Sequence, residues 1–447
     1  MIKKWFSKIG YICVLLFCND IKAQQLSAHE FSIQQAIEYA RKNNVQVKNA
    51  LLDVQIQAQT NRDITSAAYP QINGSFSMVD NVKPPVSLIP AEFFGGTPGT
   101  YEKFPFGIKY NATAGVSLDQ ILFDGQVFVG LQARKTVLDF SQKNVEVTEE
   151  MIKANIYKVY YQLVVGKKQV ELLDANITRL DKLLHDTREI YKNGFAEKLD
   201  VDKVSVQLAN VQTEKIKTLN QINNGYLGLK LLMGMPVRDS LALTDTINYD
   251  NVREGLPAIA DFKYSDRKEY QYAELGIKLN EFNIRRYKLS RIPTLSLNAY
   301  YNENAQRPKF NFFNGGEWFP ISAVTLRMNV PIFKGYSTKA KIEKSILELQ
   351  KSNNQKEALK LSIDNDIETA KNNFSSAIAT LDFQKKNMEL AENVYDQTKK
   401  KYDAGVGSNL EINAAETDLK AAQTNYISAL YDAIIAKTDY LKAIGKL

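Results

Sequence analysis

Apolar and polar residues alternate along this chain with two different periods, and the period changes at definite places. From Ile108 to Leu122 the even positions read Ile108, Tyr110, Ala112, Ala114, Val116, Leu118, Gln120 and Leu122, against Lys109, Asn111, Thr113, Gly115, Ser117, Asp119 and Ile121 at the odd ones. Period two over such a length predicts a strand with one apolar and one polar face, long enough to cross a membrane. The pattern returns at Val324, Leu326, Met328, Val330 and Ile332, set against Thr325, Arg327 and Asn329. A shorter partner precedes each strand: Ile72, Phe76 and Met78 alternate with Asn73, Ser75 and Ser77, and Leu295, Leu297, Ala299 and Tyr301 with Ser296, Asn298 and Tyr300. Each pair is expected to form a hairpin, with loops over about 79–107 and 302–318. These loops are long, rich in Gly and Pro, and aromatic in FNFFNGGEWF, as in the outer loops and girdle of a membrane barrel. A soluble β-domain with binding loops is the alternative.

Elsewhere the period is that of a coiled coil. Ile156, Val159, Leu163, Val170, Leu173, Ile177, Leu180, Leu184 and Tyr191 step by three and four, with Gly166 and Thr187 filling the remaining seam positions. A second seam runs through Val204, Leu208, Val211, Ile222, Tyr226, Leu229 and Met233, and a third through Leu419, Ala422, Tyr426, Ala429, Ala433, Ala436 and Tyr440. All 12 prolines fall in 70–105 or 236–331, leaving 106–235 and 332–447 free of this helix breaker. A helix is predicted from about Gln126 to Lys192, about 100 Å long at 1.5 Å per residue. A solvent-exposed coiled coil is the plainer reading of these segments alone.

The alternation of strands and helices repeats. Phe123-Asp124-Gly125 answers to Phe333-Lys334-Gly335 about 210 positions on, and Tyr191-Lys192-Asn193-Gly194 to Tyr402-Asp403-Ala404-Gly405 at an offset of 211. Leu232-Met233-Gly234 answers to Ala443-Ile444-Gly445 at the same offset, whereas Pro70 and Pro293 stand 223 apart. The difference falls in the first hairpin loop, where insertions cost little. The segments are therefore 24–235 for a first repeat, 236–267 for a linker or equatorial segment, and 268–447 for a second repeat. As the chain ends at Leu447 just past the last seam, any equatorial belt is expected mainly from about 236–267.

Lys3, Lys4 and Lys8 precede an apolar run from about Ile9 to Cys18, a pattern of secretory signal peptides, with cleavage expected near Ala23. The run is too short to span a bilayer, which takes about 20 residues. Large Phe17 before Cys18 does not suit lipid attachment to that cysteine. Cys13 and Cys18 are the 2 cysteines, so removal of 1–23 leaves neither disulfide nor thiolate metal site. No later run is apolar enough for a transmembrane helix, so a membrane crossing would use strands. The formal charge is +7, of which about +3 belongs to the leader, and interspersed signs give no nucleic-acid footprint. The 2 histidines, His29 and His185, have no neighbours at metal-ligand spacing, and no nucleophile elbow, phosphate loop or dinucleotide fingerprint is present. The sequence thus points to no enzyme, cofactor or metal.

Four strands cannot close a barrel, whose smallest forms have about eight, and an open edge in lipid leaves backbone groups unpaired. Several subunits must share one barrel. Residue patterns do not give their number.

SIQQAIEYARKNNVQVKNA, AAYPQINGSFS, VSLDQILFDGQ and YKNGFAEKLDVDKVSVQLANVQ, with RIPTLSLNAYY, VTLRMNVPIFKGY and KYDAGVGSNLEINAAETDLKAAQ in the second repeat, make the chain resemble the TolC-like outer-membrane efflux protein family over its mature length. The resemblance implies a mainly α protein with transmembrane β: four strands per protomer in a shared trimeric 12-stranded β-barrel, long coiled-coil helices in an α-barrel, and two internal repeats. It also implies a homotrimer in the outer membrane, a periplasmic adaptor protein and an inner-membrane RND or ABC transporter as partners, and export of small molecules. The duct of a type I protein secretion system is a variant, and a periplasmic coiled-coil scaffold or adhesin a different class. By the same resemblance, the turns at Gly194 and Gly405 lie at the periplasmic tip and dock the adaptor, and Glu411 forms a selectivity ring. Ala414 stands where some members carry a second carboxylate. Asp200 is expected to tie the closed tip to Tyr402, with Tyr191 as the first-repeat counterpart of that tyrosine. Gly407 stands where an arginine sometimes completes the closure. The plainer role for Asp200, Asp202 and Glu411 is to stabilise helix N-termini.

Overall fold

A computed structural model of the chain describes residues 28–105, 107–247, 249, 252 and 262–447. The expected leader, 1–23, lies outside them, as does part of the expected linker. The described elements are β1 (Ala28–Phe31), α1 (Ile33–Asn43), α2 (Val45–Ser66), β2 (Gln71–Asp80), β3 (Val86–Pro90), β4 (Tyr101–Pro105), β5 (Tyr110–Phe123), α3 (Gly125–Lys192), α4 (Lys198–Met233), β6 (Ser240–Leu243), α5 (Lys268–Leu289), β7 (Thr294–Arg307), β8 (Phe319–Asn329), α6 (Ser337–Asp403) and α7 (Asn409–Ala443). They divide between two compact units, one built from 28–51, 144–271 and 359–447 and the other from 52–143 and 272–358.

The duplication seen in the sequence is carried by backbone contacts. α2 and α5 have 22 residues each, and α3 and α6 have 68 and 67. Gly234 and Gly445 both adopt left-handed backbone, and a Cβ on either would meet a carbonyl oxygen, that of Asn43 at 2.4 Å or that of Asp266 at 2.7 Å. Beside the first, Asn44 Nδ2 donates to Leu232 O at 2.7 Å; beside the second, Arg267 Nη1 donates to Ala443 O at 3.0 Å. The same helix end is therefore pinned to the same preceding segment in each repeat, and only glycine lets the backbones approach that closely.

In the unit formed by 52–143 and 272–358, an antiparallel sheet runs in the order β2-β5-β7-β8. Its register sets Ile72 beside Leu118, Leu118 beside Ala299 and Ala299 beside Val324, and joins Leu297 to Leu326 and Leu295 to Met328. Directly paired residues share a face, so this side is apolar. The other carries Asn73, Ser117 and Tyr300 in one row and Asp119, Asn298 and Thr325 in another. Asn304 accepts from the Thr113 hydroxyl at 2.8 Å and Asn298 donates to Asp119. Gly115 lets β7 approach, because a Cβ there would lie 2.7 Å from Tyr301 O. Aromatics gather at both ends of the strands: Tyr110, Phe310, Phe312 and Trp318 at one, Phe123 with Phe128 and Phe333 with Tyr336 at the other. Pro70 and Pro293 fall between helix and strand, where the missing N–H costs nothing. Below the strands Arg134 donates to Thr65 Oγ1 at 2.7 Å, and Phe140 stacks on Tyr272 at 4.2 Å.

Both hairpins form, with altered boundaries. β7 continues to Arg307 and β2 to Asp80, so the second loop starts after 307 rather than at 302, and the first contains its own two-stranded ribbon, β3 with β4. NENAQR has no alternation to reveal a strand; it is held by the ladder to β5, in which Asn302–Arg307 pair with Tyr110–Gly115. β8 spans Phe319–Asn329, so Val330 and Ile332, read as strand, lie beyond it.

In the other unit, the residues of the three seams turn inward. Ile156, Leu163, Leu180, Val204, Leu229, Met233, Leu419, Ala433 and Tyr440 are buried, whereas Tyr191 is exposed. Ala422, Ala429, Ala433 and Ala436 leave α7 a narrow face that neighbours can approach closely. β1 pairs in parallel with β6, and Tyr160 donates its hydroxyl to Phe31 O at 2.9 Å, tying the start of the described chain to α3. Among the described residues, no helix is long and apolar enough to cross a membrane.

Candidate functional site

The glycine turns close their helices in the same way. Gly194 and Gly405 take φ of +81° and +74°, and their N–H groups donate to Tyr191 O and Tyr402 O at 2.9 and 3.0 Å. The next residues, Phe195 and Val406, donate back to Ile190 O and Lys401 O, as helix ends with left-handed glycine commonly do. Both side chains are thrown outward, 85% and 79% exposed, with Leu199 and Leu410 exposed beside them. Gly407 cannot be replaced freely: a Cβ would meet Tyr402 N at 2.9 Å.

The following helices are capped differently. Ser408 accepts from the Glu411 N–H at 3.2 Å, so Glu411 opens α7 with its own side chain exposed. Glu197 and Asp200 form a reciprocal box at the start of α4, in which the Glu197 N–H donates to Asp200 Oδ2 at 3.4 Å. Lys203 lies 4.0 Å from the other Asp200 oxygen. Both acids sit in first turns, where negative charge opposes the helix dipole.

Tyr402 is half-buried at the edge of the apolar cluster that contains Leu184, Val204 and Ile412. Its hydroxyl lies 3.3 Å from Thr187 Oγ1, which itself donates to Leu183 O; Tyr402 is thus the donor. Within one chain this tyrosine is held by Thr187, while Asp200 serves its own helix cap. Tyr191 is exposed and lends the turn its carbonyl.

A group that pattern reading passed over lies further along the same bundle. Glu416 on α7 is only 4% exposed and faces Arg179 on α3, whose Nε is 3.5 Å from Oε2. Neither Glu416 oxygen, nor Arg179 Nε, has a hydrogen-bond partner of good geometry. Arg179 also donates to Asn176 Oδ1 and lies over the Tyr395 ring, 5.5 Å from its centre. Asn176 Nδ2 donates to Gln423 Oε1 at 3.0 Å. Burial, partly opposed by the Arg179 charge, pushes the Glu416 carboxyl up to about 7. Burial and the Glu416 charge push the Tyr395 phenol up to about 12. The sequence signal was available: Ile412, Glu416, Leu419 and Gln423 step at seam spacing, with polar residues where apolar ones are expected.

Comparison with known proteins finds outer-membrane efflux proteins among the relatives. The model of the outer membrane efflux protein family matches residues 267–446. The probable efflux pump outer membrane protein TtgC of Pseudomonas putida is 22% identical over 428 residues, covering 93% of this chain and 83% of that one. Outer membrane protein TolC of Vibrio cholerae is 20% identical over 337 residues, 75% of this chain and 77% of its own. Among solved structures, CusC aligns with a TM-score of 0.76 at 16% identity, covering 92% of each chain, which establishes a common fold.

Proposed function

We infer that this chain, a member of the outer membrane efflux protein family, is the outer-membrane channel of an efflux system, giving its cargo a path to the exterior. One observation carries the reading: a four-stranded sheet with an apolar face, a polar face and, among the described residues, both edges open. Such a sheet is incomplete in water, where its apolar face is exposed, and in lipid, where its edges are unpaired. Side by side with copies of itself it becomes a barrel, apolar outside and polar within. Three copies give twelve strands, and β2 and β8 of neighbouring protomers meet antiparallel, as all other neighbours do.

The leader 1–23 directs export, and repeats 24–235 and 268–447, joined by 236–267, supply two strands and two long helices each. The helices form a periplasmic tunnel ending at the Gly194 and Gly405 turns. There exposed Phe195, Leu199, Val406 and Leu410 offer an apolar rim for a periplasmic adaptor, which links the duct to an inner-membrane RND or ABC transporter. A ring of Glu411 carboxylates concentrates negative potential in the narrow throat and favours cations. Tyr402, Asp200 and Tyr191 belong to the same closure. The transporter, not this chain, supplies the energy.

The test is to fractionate membranes and measure single-channel current after reconstitution in planar bilayers. The duct resists carbonate extraction and conducts. Release with the soluble periplasm, or a folded oligomer that carries no current, overturns the reading in favour of a coiled-coil scaffold.

A further inference from the structure

The Arg179–Glu416 pair is not demanded by the fold. At the 211-residue offset of the repeat, the equivalents of Glu416 and Arg179 are Ser205 and Leu390, and Leu390 is 62% exposed. The other repeat carries no charge at either position. At Glu416, among the described residues, a carboxyl sits in the wall with no well-directed hydrogen bond to either oxygen, little more than one helical turn beyond Glu411.

The surroundings of Glu416 are well defined. From α3 it faces Arg179, with Asn176 as neutral neighbour. From α6 it faces the Tyr395 phenol, which also senses Asp396 and Asp403. Val204, Leu208 and Val211 of α4 are uncharged members of the apolar cluster that also contains Tyr395, Ala415 and Leu419. On α7 itself, Lys420 is turned away to Glu214 at 2.5 Å, and Asn413 and Gln423 are uncharged. Among the described residues, the Arg179 cation, imperfectly aligned and shared with Asn176, is what offsets the loss of water around the carboxylate. Such burial disfavours the ionised form more than one ill-directed partner can repair.

We propose that Glu416 is a proton-operated latch on the wall beside the tip: protonated, it lets α7 pack against α3 and holds the tip closed; ionised, it favours separation of the two helices and admits water. The proposal rests on the channel reading for its consequence, opening of the duct, but not for its physics. The sign follows from linkage. The packed state binds the proton more tightly than a state in which Glu416 is hydrated, so raising the pH favours the hydrated state. The window runs from the ordinary carboxylate range, 4.5, to about 7, where the packed carboxyl itself ionises. Inside it, opening is expected to rise by up to about ten-fold per pH unit and then level off.

Hydrogen exchange on the purified full-length oligomer tests this without needing current. Amides of 409–420 and 176–190, after division by their intrinsic rates, are expected to lose protection from pH 5 to 7 and change little above it. Glu416→Gln, which keeps the shape and removes the charge, should hold them protected throughout. Glu416→Leu should do the same if the amide variant fails to assemble. Arg179→Met removes the one charge among the described residues that favours ionisation, so the loss of protection should continue to higher pH before levelling. Protection independent of pH in the unmodified chain, a Glu416→Gln profile like it, or an Arg179→Met profile that levels at the same pH would each overturn the latch. Absence of bilayer current would sink the channel and leave these readouts standing.

Discussion

The hydroxyl of Tyr402 and the carboxylate of Asp200 make separate bonds within the chain, one to Thr187 across helices and the other to its own helix start. Tyr402→Phe removes a hydrogen bond worth about 1 kcal/mol, and Asp200→Ala removes a cap of about the same value. Groups with no shared partner contribute additively, to within about 0.5 kcal/mol. Each substitution is expected to raise resting conductance, and a double-mutant cycle on thermal unfolding of the oligomer should show additivity. Coupling clearly above that threshold would mean the two side chains bond to each other in the assembled tip, as the resemblance alone suggests. Glu411 is the residue proposed to act on ions. Its N–H is already capped by Ser408, so its exposed carboxylate is free to act on ions, and Glu411→Ala should lower cation preference in bilayers with little change in stability. Unaltered reversal potentials would remove it from the filter.

Neighbouring residues in one strand test the two faces of the sheet. Leu326 and Thr325 are adjacent on β8, Leu326 paired with Leu297 on the apolar side and Thr325 with Asn298 on the polar side. Leu326→Arg should destabilise the barrel by about 2–4 kcal/mol in lipid vesicles, whereas Thr325→Arg, facing the water-filled side, should cost far less. Equal losses in urea titrations would mean that the sheet does not separate lipid from water. Much of this element structure was legible, because period two and period 3.5 are imposed by burial on one face. β7 beyond Tyr301 was not: Asn302–Arg307 have no apolar side, and only the ladder to β5 makes them a strand. The ribbon β3–β4 was equally hidden in a stretch read as loop for its prolines and glycines. At the Gly194 and Gly405 turns the glycines and acids could be placed by the repeat. The Tyr402–Thr187 contact could not, since it joins residues 215 apart in sequence and depends on how α3 and α6 pack. Glu416 was lost for the opposite reason, an acid in a seam being easily taken for a solvated residue.

At the scale of the molecule the open edges decide what must happen. Among the described residues, β2 and β8 each have a neighbour on one side only, and the sheet order alternates in direction from β2 to β8. The β8 of one copy can therefore receive the β2 of the next in the same antiparallel sense, and the join repeats until the ring closes. This is a head-to-tail interface, whose rotation sets the number of copies and which makes a filament if it fails to close. Engineered cysteines can count the copies, because no cysteine follows Cys18 and so none competes. Ser75 on β2 and Ile321, Ala323 or Thr325 on β8 lie on the polar face, and one of the three pairings should bring Cα atoms within the roughly 4.4–6.8 Å that a disulfide bridges. Oxidised membranes carrying the matching double variant should show bands of one, two and three chains without reductant and nothing larger, with either single variant giving monomer alone. Bands continuing past three would mean a wider ring or an open array. A ladder stopping at two would mean a barrel of eight strands, and in either case the tunnel would have to be rebuilt from a different number of helices.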